Sequence, residues 1–359
     1  MAYTDIDKPS DYFDTLIYSG NGSNPRTLSG LDFQPNWTWL KNRTDNNGHT
    51  LADSVRTANK TLDSSGTGAE ITDKNDGHLD AFTSDGFTVG AGSSGDARVN
   101  DGSHTYVAWN WKAGTSFTND ASATGIGSID SAGSVNTDAG FSIVSYTGTG
   151  ANATVAHGLG SVVKMFFVKE LSNANSWEVY HVSEGAGKNA QLNTTAAFES
   201  AGSSRWNSTA PTSTTISIGT DSGVNRSSSN YIAYCFSEKK GYSKFGKFIG
   251  NGNVNGSFIW TGQKSAFVMI KRTSGTGGWF MFDNKRDTFN LTSRSLQADT
   301  SGAENNYTAA DTMNLDILSN GFKLKSTDGA VNRSGDSYIY MVFAENPFVT
   351  STGVPATAR

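Results

Sequence analysis

The stretch VNRSGDSYIYMVF, residues 331–343, is present in three versions along this chain. A near copy, VNRSSSNYIAYCF, occupies residues 224–236, and a looser one, VNDGSHTYVAWNW, occupies residues 99–111. The three align without gaps, and they share Val-Asn, a polar turn and the start of a Tyr-Ile/Val strand. A catalytic motif is seldom needed three times in one chain, whereas a structural module often is. The pattern predicts a repeated unit in which Val-Asn forms the turn of a β-hairpin.

Upstream of each copy, further similar segments follow one another in a fixed order. A short strand runs into a Gly-x-Gly turn: TLIYSGNG from position 15, SIVSYTGTG from 142 and GKFIGNG from 246. A strand ending in lysine comes next: WTWLKNR from 37, MFFVKE from 165 and FVMIKR from 267. The period is about 100 residues, the size of a whole domain. Short strands with dense turn signals then predict an all-β protein of three tandem β-sandwich or jelly-roll-like domains.

The repeats also predict where the domains begin and end. We place an N-terminal arm at 1–13, β-domains at 14–114, 141–241 and 242–348, a Gly/Ser/Ala-rich linker at 115–140, and a C-terminal arm at 349–359. The linker is either flexible or a surface strand laid on a neighbour. The short junction between the last two domains predicts that they pack as a pair, with the first attached more loosely. The two polar arms are expected to reach a neighbouring molecule in an assembly, or to fray.

The composition suits this fold and argues against several partners. The chain has 40 glycines, which suit tight turns between short strands. Hydrophobic residues make up 36% of the chain and charged residues 17%. The net charge of −5 gives no support to binding of nucleic acid or an anionic membrane. No apolar stretch approaches the roughly 20 residues of a membrane span. The N-terminus does not resemble a signal peptide, so we expect synthesis in the cytoplasm.

One charged pair recurs after equivalent strands. Asp53 and Arg56 in the first domain have the same three-residue spacing as Asp283 and Arg286 in the third. The favoured interpretation is a turn held by an ion pair or by backbone hydrogen bonds. The alternative is a carboxylate and a guanidinium displayed together for a ligand.

We find no catalytic residues, no cofactor motif and no histidine or cysteine spacing typical of a transition-metal site. The run DKNDGHLD, residues 73–80, could supply oxygen ligands to calcium from Asp73, Asn75 and Asp76. It lacks the spacing and closing glutamate of an EF-hand, so a solvated acidic turn is favoured. Glycoside hydrolysis needs paired carboxylates, and the candidates Glu170, Glu178 and Glu184 flank strands of the second domain only, so surface positions are favoured over a catalytic role.

Aromatic side chains are the remaining candidates for a binding surface. Trp37 with Trp39, and Trp109 with Trp111, each share one face of a strand and could stack on sugars, although core or inter-domain packing is favoured. The strand WEVYHVSE supplies the other candidate binding residues. These are Trp177, Tyr180 and His181.

Long peptides of the second and third domains carry a resemblance to a known class of proteins. They are SYTGTGANATVAHGLGS, WEVYHVSEGAGKNAQLNTTAA, NSTAPTSTTISIG, NYIAYCFSEKKGYSKFGKFIGNG, SNGFKLK and the ending FAENPFVTSTGVPATAR. Their order resembles that of uncharacterised repeat-bearing structural proteins of tailed marine bacteriophages. The resemblance covers essentially the whole chain, and the first domain matches more loosely.

The resemblance implies a non-enzymatic virion protein without cofactors, serving as a tail fibre, a spike or a host-adhesion component. A capsid decoration or head-fibre protein is the alternative, and a polysaccharide-degrading virion enzyme is a third. The partners implied are other virion proteins, further copies of the chain with a trimer favoured, and a glycan or protein of the host surface.

Overall fold

The computed structural model describes residues 3–306 and 313–357, and it confirms an all-β fold. Helices in this part of the chain are short: a 3-10 turn at Pro9–Asp11, α1 at Ala121–Thr124 and α2 at Ser222–Asn225. None of the helices there is long and apolar enough to cross a membrane. Three β-sandwich units follow one another, and we number them one to three in chain order.

Each unit pairs a large antiparallel sheet with a small one. The strands of unit one are β1 (Phe13–Ser19), β2 (Arg26–Ser29), β3 (Trp37–Asn42), β4 (Thr50–Asp53), β5 (Thr57–Leu62), β6 (Ile71–Thr72), β7 (His78–Thr83), β8 (Gly86–Gly90) and β9 (Thr105–Trp111). Its large sheet has the order β1-β9-β3-β4-β5-β6, and its small sheet has the order β2-β8-β7.

Unit two has a similar plan, but its large sheet gains a hairpin at one edge and its small sheet has two strands instead of three. Its strands are β10 (Thr115–Asn119), β11 (Ser131–Asn136), β12 (Phe141–Thr147), β13 (Ala153–Ala156), β14 (Val163–Glu170), β15 (Glu178–His181), β16 (Lys188–Gln191), β17 (Glu199–Ser200), β18 (Thr215–Ile218) and β19 (Asn230–Ser237). The large sheet has the order β10-β11-β12-β19-β14-β15-β16-β17, and β13 pairs with β18.

Unit three returns to the plan of unit one. Its strands are β20 (Ser243–Ile249), β21 (Phe258–Trp260), β22 (Gln263–Arg272), β23 (Trp279–Asp283), β24 (Arg294–Gln297), β25 (Asn305–Asn306), β26 (Leu315–Leu318), β27 (Gly321–Leu324) and β28 (Ser337–Pro347). The sheets have the orders β20-β28-β22-β23-β24-β25 and β21-β27-β26.

The repeated Val-Asn motif does not form a hairpin, so that prediction is wrong. The strand before it, β8, β18 or β27, lies in the small sheet, whereas the strand after it, β9, β19 or β28, is central in the large sheet. The motif therefore carries the chain from one layer of the sandwich to the other. Its tyrosine explains how this crossing is fixed. The Tyr338 hydroxyl donates to the carbonyl of Gly329 at 2.7 Å and accepts from the amide of Arg333 at 2.8 Å.

The same tyrosine corner recurs in the other two units, as it does in immunoglobulin-like sandwiches. The Tyr231 hydroxyl donates to the carbonyl of Ser222 at 2.7 Å, and the Tyr106 hydroxyl donates to the carbonyl of Ala97 at 3.1 Å. The buried asparagine of the motif holds the Gly-x-Gly turn in place. In unit two, Asn225 accepts from the amide of Thr149 at 2.7 Å. These shared contacts explain why Asn and Tyr persist in all three copies.

The first glycine of each Gly-x-Gly turn lies directly on this crossing. A Cβ added at Gly148 would lie 2.3 Å from the carbonyl oxygen of Arg226, and the equivalent contact at Gly20 would be 1.8 Å. Both carbonyls belong to backbone that the tyrosine corner holds in place. A side chain there must displace backbone, and this requirement keeps the position glycine.

We predict that Gly148→Ala lowers the free energy of unfolding by about 2 kcal/mol or more. The added methyl group would meet the backbone of Arg226, which the tyrosine corner of Tyr231 holds in place. Gly187→Ala is the matched control, since a Cβ added at that position would lie in open space, with nothing within 4 Å. That change should stay within about 0.5 kcal/mol. Chemical denaturation of both variants measures the difference. Equal stability of the two would contradict the role given to the turn.

A single core is shared by all three units. It includes seven aromatic rings from the middle of the large sheets: Trp37, Trp109 and Trp111 of unit one, Phe141 and Phe236 of unit two, and Phe267 and Phe343 of unit three. The rings are at most 1% exposed. Each unit also has a smaller core of its own between its two sheets. The favoured packing role of the strand tryptophans is therefore confirmed.

The units close into a ring by equivalent backbone contacts. The amide of Glu70 in unit one donates to Leu171 of unit two at 3.1 Å, and the amide of Phe198 in unit two donates to Thr273 of unit three at 3.2 Å. The amide of Glu304 in unit three donates to the carbonyl of Arg43 in unit one at 2.9 Å. Head-to-tail contacts that close after three steps form a ring with approximate threefold symmetry. Unit one is therefore held on both sides, and the prediction of a looser attachment is wrong.

The segment at 115–140 also differs from a flexible linker. It contains β10, α1 and β11, and β11 pairs with β12 along the edge of the unit-two sheet. Its Gly, Ser and Ala residues suit a strand whose outer face is covered only in part. Of the two alternatives for this segment, the structure has a surface strand.

The two arms fold back onto the body. Ile6 and Phe13 enter the shared core, and the Asp5 amide donates to the carbonyl of Lys240 at the junction between units two and three, at 3.0 Å. In the C-terminal arm, the Ser351 amide donates to the Asp7 carboxylate at 2.6 Å. Within one chain, the arms therefore brace the junction between units two and three.

Candidate functional site

The structure places the predicted binding residues of unit two in the interior. Trp177, Tyr180 and His181 are at most 2% exposed. Trp177 donates from Nε1 to the carbonyl of Asp63 in unit one at 2.9 Å, and Tyr180 stacks on Phe166 within the small core. A ligand has no access to these side chains in the folded chain. We correct their role to packing and to contacts between units.

We call each contact region between two neighbouring units of the ring a joint. The recurring Asp–Arg pair lies at two of these joints. Asp53 receives the amide of Arg56 at 2.8 Å and its Nε at 2.5 Å, and the Tyr234 hydroxyl of unit two donates to the same carboxylate at 2.7 Å. Asp283 receives the Arg286 amide at 2.8 Å and its Nε at 2.5 Å. These ion pairs and backbone hydrogen bonds are the turn contacts of the favoured interpretation. The hydrogen bond from the neighbouring unit was not predicted from the sequence.

The donor from the next unit also occurs at the joint between units three and one. There Trp109 donates from Nε1 to Asp283 at 3.0 Å. At the third joint, unit three has Met341 where its neighbours have Tyr234 and Trp109, and a thioether cannot donate a hydrogen bond. Unit two correspondingly carries His181, whose Nε2 lies 3.3 Å from the carbonyl of Tyr340. At two joints the carboxylate accepts from a donor of the neighbouring unit, whereas at the third the histidine faces a carbonyl oxygen, which is an acceptor.

Burial keeps three histidines neutral in the folded protein. It lowers the pKa of His157 and of His181 to about 4, and it also lowers the pKa of His49. The ordinary value is 6.5. Between these values the unfolded chain binds protons that the folded chain does not. Stability from these groups is therefore complete above about pH 6.5 and is lost as the pH falls toward 4.

We predict that the free energy of unfolding falls by about 2 kcal/mol for each such histidine between pH 7 and pH 5. Urea titrations at the two pH values measure the loss. The variant His181→Gln cannot titrate, so it should lose less stability over the same range. An unchanged pH dependence in that variant would contradict the assignment to His181.

The candidate calcium ligands are not brought together. The Asp76 carboxylate pairs with Arg98 Nε at 2.7 Å, whereas Asp73 accepts from Asn59 at 3.2 Å. In Asn75 the backbone carbonyl, not the side chain, accepts from Ser94. Within residues 3–306 and 313–357, no group of three or more His, Cys, Asp or Glu side chains could hold a metal ion.

The carboxylates considered for glycoside hydrolysis are bound inside unit two. Glu178 is 1% exposed and accepts from Asn189 at 2.6 Å and from Arg205 at 3.0 Å. Burial raises its pKa, in spite of Arg205. Glu170 is fully buried and accepts from Asn173 at 2.6 Å. Both side chains hold loops of the sandwich in place.

The surface holds a groove with a different character, centred on Trp260. This side chain is 58% exposed, whereas the other seven tryptophans are at most 1% exposed. The groove has a volume of about 380 Å³ and lies where the two arms, the junction between units two and three and β21 meet. Tyr3 and Phe348 also line the groove and are 62% and 38% exposed. Exposed aromatic side chains that line one groove are typical of a binding surface.

Glycine and backbone contacts determine how the indole lies. Gly262 has a φ of 76°, and a Cβ added there would lie 3.1 Å from Cζ2 and Cη2 of Trp260. The six-membered ring therefore rests against the backbone of this turn. The turn is itself held by Asn320, whose carbonyl accepts from the amides of Thr261 and Gly262 at 3.0 and 3.1 Å. The indole has a firm support beneath it and solvent beside it.

A larger cleft of about 790 Å³ lies between units one and two. Its lining is polar, and Lys60 pairs there with Glu70 at 3.2 Å. Its two tyrosines, Tyr146 and Tyr231, are at most 4% exposed and therefore offer no stacking surface. We take the Trp260 groove as the candidate functional site.

A comparison with protein-family models matches residues 8–347 to a domain of unknown function, DUF7483. This chain belongs to the DUF7483 family. The match runs through all three units, so the DUF7483 domain corresponds to the whole ring and not to one repeat. No curated protein matches the chain.

The Trp260 groove was missed in the sequence, although a signal for it was present. In this DUF7483 chain, Trp260 follows the buried Ile259 in β21, and the equivalent residues are Ser29 in unit one and Ala156 in unit two. The fold therefore does not need an aromatic residue there. An aromatic side chain on the outward face of a strand, in only one of three repeats, is the pattern that could have revealed it.

Proposed function

We propose that this protein is a non-enzymatic structural component of a bacteriophage virion that acts as a tail fibre, spike or host-adhesion protein. The resemblance of its long peptides to repeat-bearing phage proteins supports the proposal. The observation that carries it is that two buried Asp–Arg ion pairs lie between the units and not at a ligand site. The Asp53 and Asp283 pairs, buried beside the donors of a neighbouring unit, brace joints of the ring.

A protein that works as a mechanical part needs joints of this kind. Buried ion pairs and the shared aromatic core fix three sandwiches as one body, and the exposed loops and the Trp260 groove remain for recognition. The proposal includes association with other virion proteins and with further copies of the chain, for which a trimer is expected. Light scattering on the purified protein tests the trimer.

The direct experiment is to locate the chain in purified particles. Mass spectrometry of intact and disassembled particles gives its copy number, and labelling with a specific antibody gives its position. We expect a small number of copies at the tail or at fibres. A copy for every few coat subunits would favour capsid decoration instead, and absence from the particle would contradict the proposal. Release of reducing sugar from host glycans by the purified protein would favour the third candidate function, a polysaccharide-degrading virion enzyme.

A further inference from the structure

We infer that the Trp260 groove binds a short neutral saccharide through stacking on the indole. The inference deepens the adhesion role proposed above and rests on it for its biological setting. Binding by the purified protein is a separate property and can be tested without the particle.

The first step is that Trp260 is exposed at a place where the fold tolerates a small side chain. Ser29 and Ala156 take its position in the other units, and the inward neighbours Leu28, Val155 and Ile259 supply the packing in all three. Phe258, two residues earlier, points to the same side and is 47% exposed, where the other units have threonine. Exposed aromatic rings that stability does not require indicate recognition.

The second step concerns charge. Four charged residues line the groove, two of each sign: Asp5, Glu238, Lys240 and Lys244. Lys244 lies 2.7 Å from Glu238, and the Lys240 amide donates to Asp5 at 3.2 Å. A lining without net charge gives no preference for a phosphate or for a charged peptide, both of which call for an excess of one sign. A neutral ligand rich in hydroxyl groups fits it.

The third step is that the charged groups still have capacity for hydroxyl groups. An ionised carboxylate has about four acceptor sites, and an ammonium has three donors. Glu238 uses one oxygen for Lys244 and the other for the Phe245 amide at 3.3 Å. Sugar hydroxyl groups can donate to the carboxylates of Glu238 and Asp5 and accept from Lys244, while the apolar face of a sugar ring covers the indole. The volume of about 380 Å³ is near the lower end for small-molecule sites and suits a short saccharide.

The test is titration calorimetry of the full chain with cello-, manno-, galacto- and chito-oligosaccharides at up to about 10 mM. The wild type should bind at least one of them. The variant Trp260→Ser, which copies unit one, should lose at least about tenfold in affinity, and Trp260→Tyr should keep most of it. Phe289→Ser is the matched control, since Phe289 is 77% exposed outside the groove. It should leave affinity unchanged.

Melting temperatures within about 2 °C of the wild type verify that the variants are folded. The inference is overturned if the wild type binds none of these oligosaccharides, or if Trp260→Ser binds them as well as the wild type does. Self-association that is lost in Trp260→Ser would also overturn it, because the occupant would then be a second copy. Saccharide binding by a protein that is absent from particles would uphold this inference and contradict the proposed function.

Discussion

Replacing Asp283 by alanine is expected to lower the free energy of unfolding by about 3–5 kcal/mol, because it leaves a buried charge without its main partner. Arg286 is fully buried, and although burial opposes its charge, Asp283 and Glu304 hold its pKa above the ordinary value. The same change removes the acceptor of Trp109, which belongs to the other side of the joint. Urea denaturation measures the loss.

Two further variants separate the joint from a general effect of losing a carboxylate. Asp11→Ala removes a solvent-exposed pair with Lys8 and should change stability by less than about 0.5 kcal/mol. The combination of Asp283→His, Arg286→Glu and Trp109→Met copies the joint between units two and three, where His181 and Glu184 take the place of the pair, so it should keep more stability than Asp283→His alone. A loss in Asp283→Ala no larger than in Asp11→Ala would contradict the account of the joint.

Replacing Trp37 by alanine is expected to cost about 3–5 kcal/mol as well, through the cavity left in the shared core. The Trp37 ring is fully buried, with its centroid 4.4 Å from that of Trp111 in its own unit and 4.5 Å from that of Tyr234 in unit two. The change therefore weakens the packing between two units, as denaturation followed by fluorescence and circular dichroism can measure.

Conservative and exposed substitutions serve as the controls for this position. Trp37→Phe keeps a ring in place and removes an indole N–H that has no partner in the described structure, so it should cost much less than Trp37→Ala. Trp260→Ala removes an exposed tryptophan and should stay within about 0.5 kcal/mol. If Trp37→Ala were as mild as Trp260→Ala, the shared core would not hold the units together.

The sequence allowed the strands, the three units and the turn role of Asp53 and Asp283 to be predicted, because these depend on local patterns that repeat. Strand alternation and turn residues act over a few positions, so three copies of a pattern reinforce one another. The crossing at Val331 was mistaken for a hairpin because a turn between two strands looks alike whether they share a sheet or lie in facing sheets. The tyrosine corner at Tyr338 distinguishes a crossing between sheets from a hairpin. The carbonyl of Gly329 that binds this hydroxyl cannot be identified from the sequence alone.

The closure of the ring could not be predicted for a different reason. It depends on residues far apart in the chain, such as Glu304 and Arg43, whose side chains pair at 2.8 Å. The repeats also hid it, because each unit looked complete by itself. The three strand-ending lysines show the same problem. Lys41, Lys169 and Lys271 are fully buried, and each donates to the carbonyl of the next residue, whereas a lysine in a sequence suggests a surface position.

The claim that three units form one closed body is tested most directly by scanning calorimetry of the wild-type chain. A shared core and three joints predict a single transition whose calorimetric enthalpy equals its van't Hoff enthalpy, a ratio near about 1. Trp206→Ala, a change in the separate core of unit two, should shift that transition as a whole to lower temperature. Two or three separate transitions, with only one of them moved by Trp206→Ala, would show independent domains and contradict the account.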